Sequence, residues 1–265
     1  MPPPLLHSTG QRPRRDFPTR HTKIVATLGP ASEDPSTIGA MIDAGLDVAR
    51  LNTSHGMIEE HERFVAVVRE VAASRDKPVA VLMDLGGPKL RTGPTEGGRP
   101  LNLAQGATIH LTPTLVKGDE SRLTIDYPRL LDDVRQSDVI LLDDGHIELE
   151  VMAVESDALR CRVTYGGLLQ PNKGVAFPYS NLTMPVLTDR DREAIRAGAR
   201  AGVDYFALSF VRAASDIEAA REAIDDTGVD IPVIAKIERR QAIQHLDEIV
   251  CRRRWRDGRP RRPGR

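Results

Sequence analysis

The feature that most constrains this chain is an alternation of short β-branched runs with amphipathic helical segments. Residues 22–28 (TKIVATL) form an apolar run that closes on Gly29-Pro30 and read as a buried strand. Ser32 or Asp34 can cap a helix with Pro35 at its start; Ile38, Met41 and Ile42 fall at i, i+3 and i+4, and Gly45 ends it. Residues 46–51 (LDVARL) are a second strand. Phe64, Val67, Val68 and Val71 mark the apolar face of a longer helix, and residues 79–83 (VAVLM) are a third strand. This order and spacing predict parallel βαβ units.

The rhythm breaks after Pro88. Residues from about 92 to 180 carry no helical period but several short alternating runs, at 107–111, 139–142, 147–154 and 158–163. Turns at Asp144-Gly145 and Gly166-Gly167 separate them, so the stretch reads as a small all-β insert. The βα rhythm resumes at Met184-Pro185. Thr188 caps a helix with Asp191 in its first turn. Residues 205–210 are a fourth strand, Ser215 caps the next helix with Ile217 and Ile224 on its face, and residues 233–237 are a fifth strand. Ile243, Leu246 and Val250 suggest one more helix. The count is five βα units with an insert after the third.

Composition narrows the function classes. The chain has 265 residues, 40% of them hydrophobic, which is ample for a buried core. No apolar run approaches the ~20 residues of a membrane helix, and the N-terminal MPPPLLHSTGQRPRR has no apolar signal core. The two cysteines, Cys161 and Cys251, exclude a disulfide framework and a paired-cysteine metal site, and suit a reducing cytosol. The net charge of −1 hides an asymmetry: residues 251–265 carry +7, so the first 250 carry −8. Residues 1–20 read as a flexible extension.

The polar residues gather at the C-terminal ends of the predicted strands. The second strand ends in Arg50-Leu51-Asn52-Thr53-Ser54-His55-Gly56 and the third in Asp84-Leu85-Gly86-Gly87-Pro88-Lys89; the fifth carries Lys236 and Glu238. In a parallel barrel the C-terminal face holds the active site. Lys236 and Glu238, two apart, point to the same face of a strand, where a lysine and a carboxylate suit a phosphate and a divalent metal.

Six stretches, TKIVATLGPAS, ARLNTSHG, MDLGGPKLRTG, LLDDGHIELEV, NKGVAFP and IAKIE, follow one another across residues 22–250. In order and spacing the chain resembles the pyruvate kinase family. The resemblance implies an α/β fold, a (β/α)8 TIM barrel that is incomplete here, with a small β-barrel domain inserted after the third strand. Residues 21–88 and 185–250 would form the partial barrel and 89–184 the insert. It implies transfer of a phosphoryl group from phosphoenolpyruvate to ADP, making pyruvate and ATP, with Mg2+ and usually K+, in a cytoplasmic protein that is typically a homotetramer. Carried over by motif, Arg50 would bind the substrate phosphate. Lys236 would neutralise charge on the transferring phosphoryl group and the enolate, and Glu238 would hold Mg2+. Asn52, Ser54, Asp84 and the carbonyl of Leu85 would form the K+ site. Asn52, Ser54, His55, Arg91 and Lys173 would touch the nucleotide. The family usually carries Thr-Lys where this chain has Leu85-Gly86, and Glu where it has Lys89, so the K+ site would lack a hydroxyl and have one charge reversed.

After its fifth unit the family has a sixth strand ending in an ARGDLG-type motif, whose Asp is a second Mg2+ ligand, and then two more strands and a C-terminal domain. Here the chain reads CRRRWRDGRPRRPGR. One choice of codons for this tail, shifted by a base, reads ADGVGVMAVRGDLG, so the tail reads as out of frame rather than as a nucleic-acid or membrane patch. The expectation is a kinase fragment with little or no activity. Two other readings stand beside it: a non-catalytic fragment that binds phosphoenolpyruvate or nucleotide, and a lyase acting on phosphoenolpyruvate or pyruvate. His61, His110, His146 and His245 read as structural or surface residues. Asp143 and Asp144 read as a turn, and Cys161 as a packed thiol.

Overall fold

The computed structural model describes residues 22–251. The expectations for the N-terminal extension and for the basic tail beyond Cys251 lie outside them. The first half alternates β1 (Val25–Leu28), α1 (Pro35–Asp43), β2 (Val48–Asn52), α2 (Ile58–Ser74) and β3 (Ala80–Leu85). Eight strands follow: β4 (Leu101–Leu103), β5 (Thr108–Thr112), β6 (Arg122–Thr124), β7 (Val139–Leu142), β8 (Ile147–Val154), β9 (Leu159–Tyr165), β10 (Gly167–Leu169) and β11 (Val175–Ala176). A short helix, α3 (Leu130–Asp133), lies between β6 and β7. The chain then returns to α4 (Asp189–Ala201), β12 (Tyr205–Leu208), α5 (Ala214–Asp225), β13 (Val233–Ala235), α6 (Arg240–Gln244) and α7 (Leu246–Cys251).

The βα units build one five-stranded parallel sheet in the order β1-β2-β3-β12-β13. Strand alternation divides its residues between two faces. Ala49, Leu51, Val81, Met83, Leu85, Phe206 and Leu208 point to the helices and pack against Ile38, Ile42, Val65, Val68, Ile195 and Ile224. Each of the larger fully buried side chains contributes about 1.5–3 kcal/mol. The residues between them, Arg50, Asn52 and Asp84, therefore face the other side. That geometry lets one strand serve both core and site.

The intervening strands have their own core, centred on Ile109, Leu111, Leu123, Ile140, Leu149, Cys161 and Val163. Their larger sheet runs β11-β7-β8-β9-β5-β6 and is antiparallel except at β5/β6; β10 and β4 form a separate pair. Burial pushes the Cys161 thiol up to about 12, as a packed thiol requires. Among the described residues no helix is long and apolar enough to cross a membrane.

Several local expectations are met. Asp34 Oδ1 accepts the Ser36 N–H at 3.0 Å, with Pro35 opening α1. Ser32 instead closes a 3-10 turn through Gly29. Thr188 and Asp191 form a reciprocal capping box on α4. Others need correction. Ser215 caps nothing: α5 starts at Ala214, and Asp216 accepts the Arg212 N–H at 2.8 Å ahead of it. The expected helix at residues 243–250 is two short ones, broken at His245, and α7 takes in Cys251, the first residue assigned to the tail. Its buried anchors are Ala242 and Ile249, whereas Ile243, Leu246 and Val250 are exposed. Gly166-Gly167 is no two-residue hairpin turn, because Gly167 already belongs to β10, which leaves β9 to pair with β4. Asp143, Asp144 and Gly145 do turn the chain between β7 and β8, all three at positive φ.

Candidate active site

Parallel register brings the C-terminal ends of four strands level. Asn52 is the register partner of Asp84, Asp84 of Ala207, and Leu208 of Ala235. The residues at these ends meet in one cluster with Asp84 at its centre. Asp84 is 2% exposed. Its Oδ2 accepts from both Nε (2.9 Å) and Nη2 of Arg50, whose Nη1 donates to Thr27 Oγ1 at 2.7 Å. Lys236 Nζ reaches the two Asp84 oxygens at 3.2 and 3.3 Å. The same ammonium lies 3.2 Å from Glu238 Oε1, and Glu238 Oε2 accepts the backbone N–H of Phe210 at 3.0 Å. Arg50, Asp84, Lys236 and Glu238 thus form a row of alternating charge. The two cations share this buried carboxylate, which fixes their positions.

Lys236 and Glu238 do share one side, as their spacing predicts, although β13 ends at Ala235 and neither is a strand residue. Sequence reasoning missed Ser209. Its hydroxyl donates to the Leu85 carbonyl at 2.6 Å and accepts from Lys236 Nζ at 2.9 Å. The available signal was position: Ser209 follows an apolar strand where the other strands carry their polar residues. It also missed Phe210, which sits at φ 57° where it presents its N–H to Glu238. A bulky residue in this region signals local strain, and nothing in its sequence context announces it.

A cleft of about 880 Å³ opens between the β7–β11 side of the insert and the turn after β13. Arg91 and Lys173 line it from the stretch between β3 and β11 and Glu238 from the turn after β13. Arg91 Nη1 donates to the Asn172 carbonyl at 2.9 Å, and Lys173 Nζ pairs with Asp143 Oδ1 at 2.8 Å. Arg239 also lines the cleft, stacked 5.2 Å over the Phe210 ring, and its buried Nε has no hydrogen-bond partner. Burial pulls the Arg239 guanidinium below its ordinary range.

The remaining candidates sit apart from that cleft. Asn52 Oδ1 accepts the Ser54 N–H at 3.1 Å, and Ser54 Oγ lies against Gly86. His55 is exposed, and its carbonyl meets His61 Nε2 at 2.9 Å. Arg190 holds this turn from α4, donating to the carbonyls of Thr53 (2.9 Å) and Gly56. The geometry therefore unites Arg50, Asp84, Leu85, Lys236 and Glu238, joins Arg91 and Lys173 to Glu238 through the cleft, and leaves Ser54 and His55 on the turn that follows Asn52 at the end of β2.

The donor sets differ in how they suit cations. Glu238 is a hard oxygen donor that lines the cleft, its oxygens shared with Lys236 and the Phe210 N–H, and Mg2+ is commonly held by one or two carboxylates plus substrate phosphates, so a carboxylate in this position fits it. Three of the four monovalent-cation donors are engaged internally: Asp84 by Arg50 and Lys236, Asn52 Oδ1 by the Ser54 N–H, and the Leu85 carbonyl by Ser209. As arranged, they offer K+ no carboxylate oxygen that is not already shared with Arg50 or Lys236.

A sequence model of the pyruvate kinase barrel domain matches residues 19–254. The chain belongs to the pyruvate kinase family. It is 41% identical over 232 residues to a pyruvate kinase of Mycobacterium tuberculosis, covering 88% of this chain and 49% of that one. The pyruvate kinase of Geobacillus stearothermophilus is 42% identical over 234 residues, covering 87% and 40%. That of Thermotoga maritima is 41% identical over 231, covering 87% and 49%. The chain spans about half the length, or less, of these curated relatives. Within pyruvate kinase terms, the strand-end cluster lies inside the matched barrel segment.

Proposed function

We propose that this site handles phosphoenolpyruvate and ADP, moving the phosphoryl group to ADP to give ATP and, after protonation of the enol carbon, pyruvate. The observation that carries the reading is the convergence of Arg50, Asp84, Lys236 and Glu238 at the ends of parallel strands. Arg50 and Lys236 are each about a third exposed along the side chain, so both present charge to an incoming anion while Asp84 holds them from behind. Phosphoryl transfer depends mainly on positioning and on fixed charge, and this row supplies both. Arg50 would bind the phosphate. Lys236 would stabilise negative charge on the transferring group and on the enolate. Glu238 would hold Mg2+, which when bound would shield the phosphate oxygens. Arg91 and Lys173 would meet the nucleotide across the cleft, with Asn52, Ser54 and His55 contributing from the adjacent turn.

The matched family supports reading the five-stranded sheet as part of a (β/α)8 barrel, segments 21–88 and 185–250, with residues 89–184 as the inserted β-domain. For the whole protein we propose a cytoplasmic, homotetrameric setting, as the family resemblance implies. For the 265 residues as they stand we propose binding with little turnover. Within the cluster Asp84 is consumed by two cations, which leaves Glu238 as its one carboxylate facing the cleft.

Calorimetric titration with phosphoenolpyruvate and ADP, beside a pyruvate-forming assay, tests both parts. Phosphoenolpyruvate should bind, and Lys236→Met or Arg50→Gln should each weaken it about tenfold or more. Absence of binding would overturn the site. Pyruvate formation at ordinary kinase rates of ~1–10³ per second would overturn the binding-only reading, and turnover without ADP would favour the lyase.

A further inference from the structure

A second basic site lies on the helical layer, away from the strand ends. Arg192, Arg196 and Arg200 recur every four residues along α4 and line a groove of about 400 Å³. Its other wall is Ala223 of α5 and the turn carrying Asp226, Thr227 and Val229. That turn precedes β13, so the groove descends toward the N-terminal end of the sheet, opposite Lys236 and Glu238.

Three features distinguish it from an ordinary solvated face. Like charges at i, i+4 destabilise a helix, and this helix carries that spacing twice. Arg200 is anchored to Glu62 at 3.0 Å, but Arg192 and Arg196 are exposed with no ion pair or side-chain hydrogen bond among the described residues. The floor between them is apolar, made of Ala199, Ala223 and the half-exposed Val229. Arg192 and Arg196 stand about 6 Å apart along the axis, and Arg192 and Arg200 about 12 Å. We propose that this groove binds a small molecule bearing two or more phosphoryl groups, held by Arg192 and Arg196 with its body on the Ala199/Ala223 floor. Guanidinium forks suit phosphate oxygens, and two spaced cations favour a multiply charged anion over a single one. Thr227 donates its hydroxyl to the Ile224 carbonyl at 2.6 Å, which leaves its oxygen lone pairs to a ligand hydroxyl.

The probe is tripolyphosphate, titrated calorimetrically into the full 265-residue chain, with sulfate at equal ionic strength as the single-anion control. The test variant is Arg192→Gln/Arg196→Gln. These exposed, unpaired side chains can be exchanged without unfolding α4, and an unchanged melting temperature without ligand checks this. Tripolyphosphate should bind more tightly than sulfate, and the double variant should weaken it roughly tenfold or more. Lys236→Met should keep the binding component that the double variant removes, which separates this groove from the proposed active site. Equal binding of the double variant, as the arginine-rich residues 251–265 would give, overturns the proposal. So do loss of that component in Lys236→Met and a failure to discriminate tripolyphosphate from sulfate.

Discussion

Asp191 ties the helix that follows the insert to the strand turn that precedes it: its Oδ1 accepts the Gly87 N–H at 3.2 Å, while Oδ2 accepts from the backbone and hydroxyl of Thr188. The two residues are 104 positions apart, and Asp191 is 2% exposed. One carboxylate therefore closes the cap of α4 and fixes the exit of β3, where Asp84 and Leu85 stand.

Asp191→Ala should lower stability by about 2–3 kcal/mol. Loss of the cap costs ~1 kcal/mol, and leaving the Gly87 N–H without its partner adds ~1–2 kcal/mol. Asp191→Asn keeps a capping oxygen and should cost less. Urea unfolding at neutral pH measures both. An alanine variant within 0.5 kcal/mol of the parent would show that the capping box does not bridge the insert.

Two helical glycines should respond in opposite ways to alanine. A Cβ at Gly198 would stand 2.9 Å from Met83 Sδ and 2.9 Å from two Phe206 ring carbons, all inside the core. Overpacking of this kind costs ~1–3 kcal/mol, more than the ~1 kcal/mol gained in helix propensity. Gly198→Ala should therefore destabilise. At Gly39 the obstacle is the guanidinium of Arg75, the far end of a flexible side chain. Gly39→Ala should displace Arg75 from Asp43 and come out neutral or stabilising, by thermal melting of both variants.

The βα half of the chain was legible because its strands are short apolar runs that carry their polar residues at the C-terminal ends, and β2 alternates core residues with chemistry-bearing ones. Ala49 and Leu51 are buried while Arg50 and Asn52 face away, so periodicity and polar strand ends pointed to the same place. Asp84 and Lys236 stood out as polar residues at or just beyond these ends. What periodicity could not supply was the pairing between them, since their contact depends on register across β3, β12 and β13. Ser209 was hidden for the same reason: it touches Leu85 and Lys236 only once three strands are level. The helices after β13 were misread because Ile243, Leu246 and Val250 imitate a buried stripe, whereas the chain breaks at His245 and buries Ala242 and Ile249 instead.

His61 gives a prediction in pH. It is 6% exposed on α2; its Nε2 bonds the His55 carbonyl, and its Nδ1 has no partner. A carbonyl can only accept, so Nε2 carries the proton of a neutral ring. Burial is the main cause that pulls this imidazole below its ordinary value of 6.5. The neutral ring is therefore favoured by folding, and the unfolded chain binds the proton first. This contribution is fully present above about pH 6.5 and is lost as pH falls below it through the depressed folded value. His61→Gln should flatten the stability profile between pH 6.5 and 5 relative to the parent. Parallel profiles for the two chains in urea titrations would show that His61 does not titrate with unfolding.

The last prediction concerns monovalent cations at the strand-end cluster. A K+ seated on Asp84 would compete with Lys236 at both oxygens and with Arg50 at Oδ2. Two unit cations about 4 Å apart repel by ~4 kcal/mol at the effective dielectric of a protein surface. The neutral donors offer little compensation, since the Leu85 carbonyl is held by Ser209 at 2.6 Å and Asn52 Oδ1 by the Ser54 N–H. Adding the Thr side chain usual at position 85 would not by itself free Asp84. Phosphoenolpyruvate affinity should accordingly be the same, within about twofold, in K+ and in tetramethylammonium at equal ionic strength. Tenfold tighter binding in K+ would mean that Lys236 leaves Asp84 when the substrate arrives, because only then would a carboxylate oxygen be available to the ion.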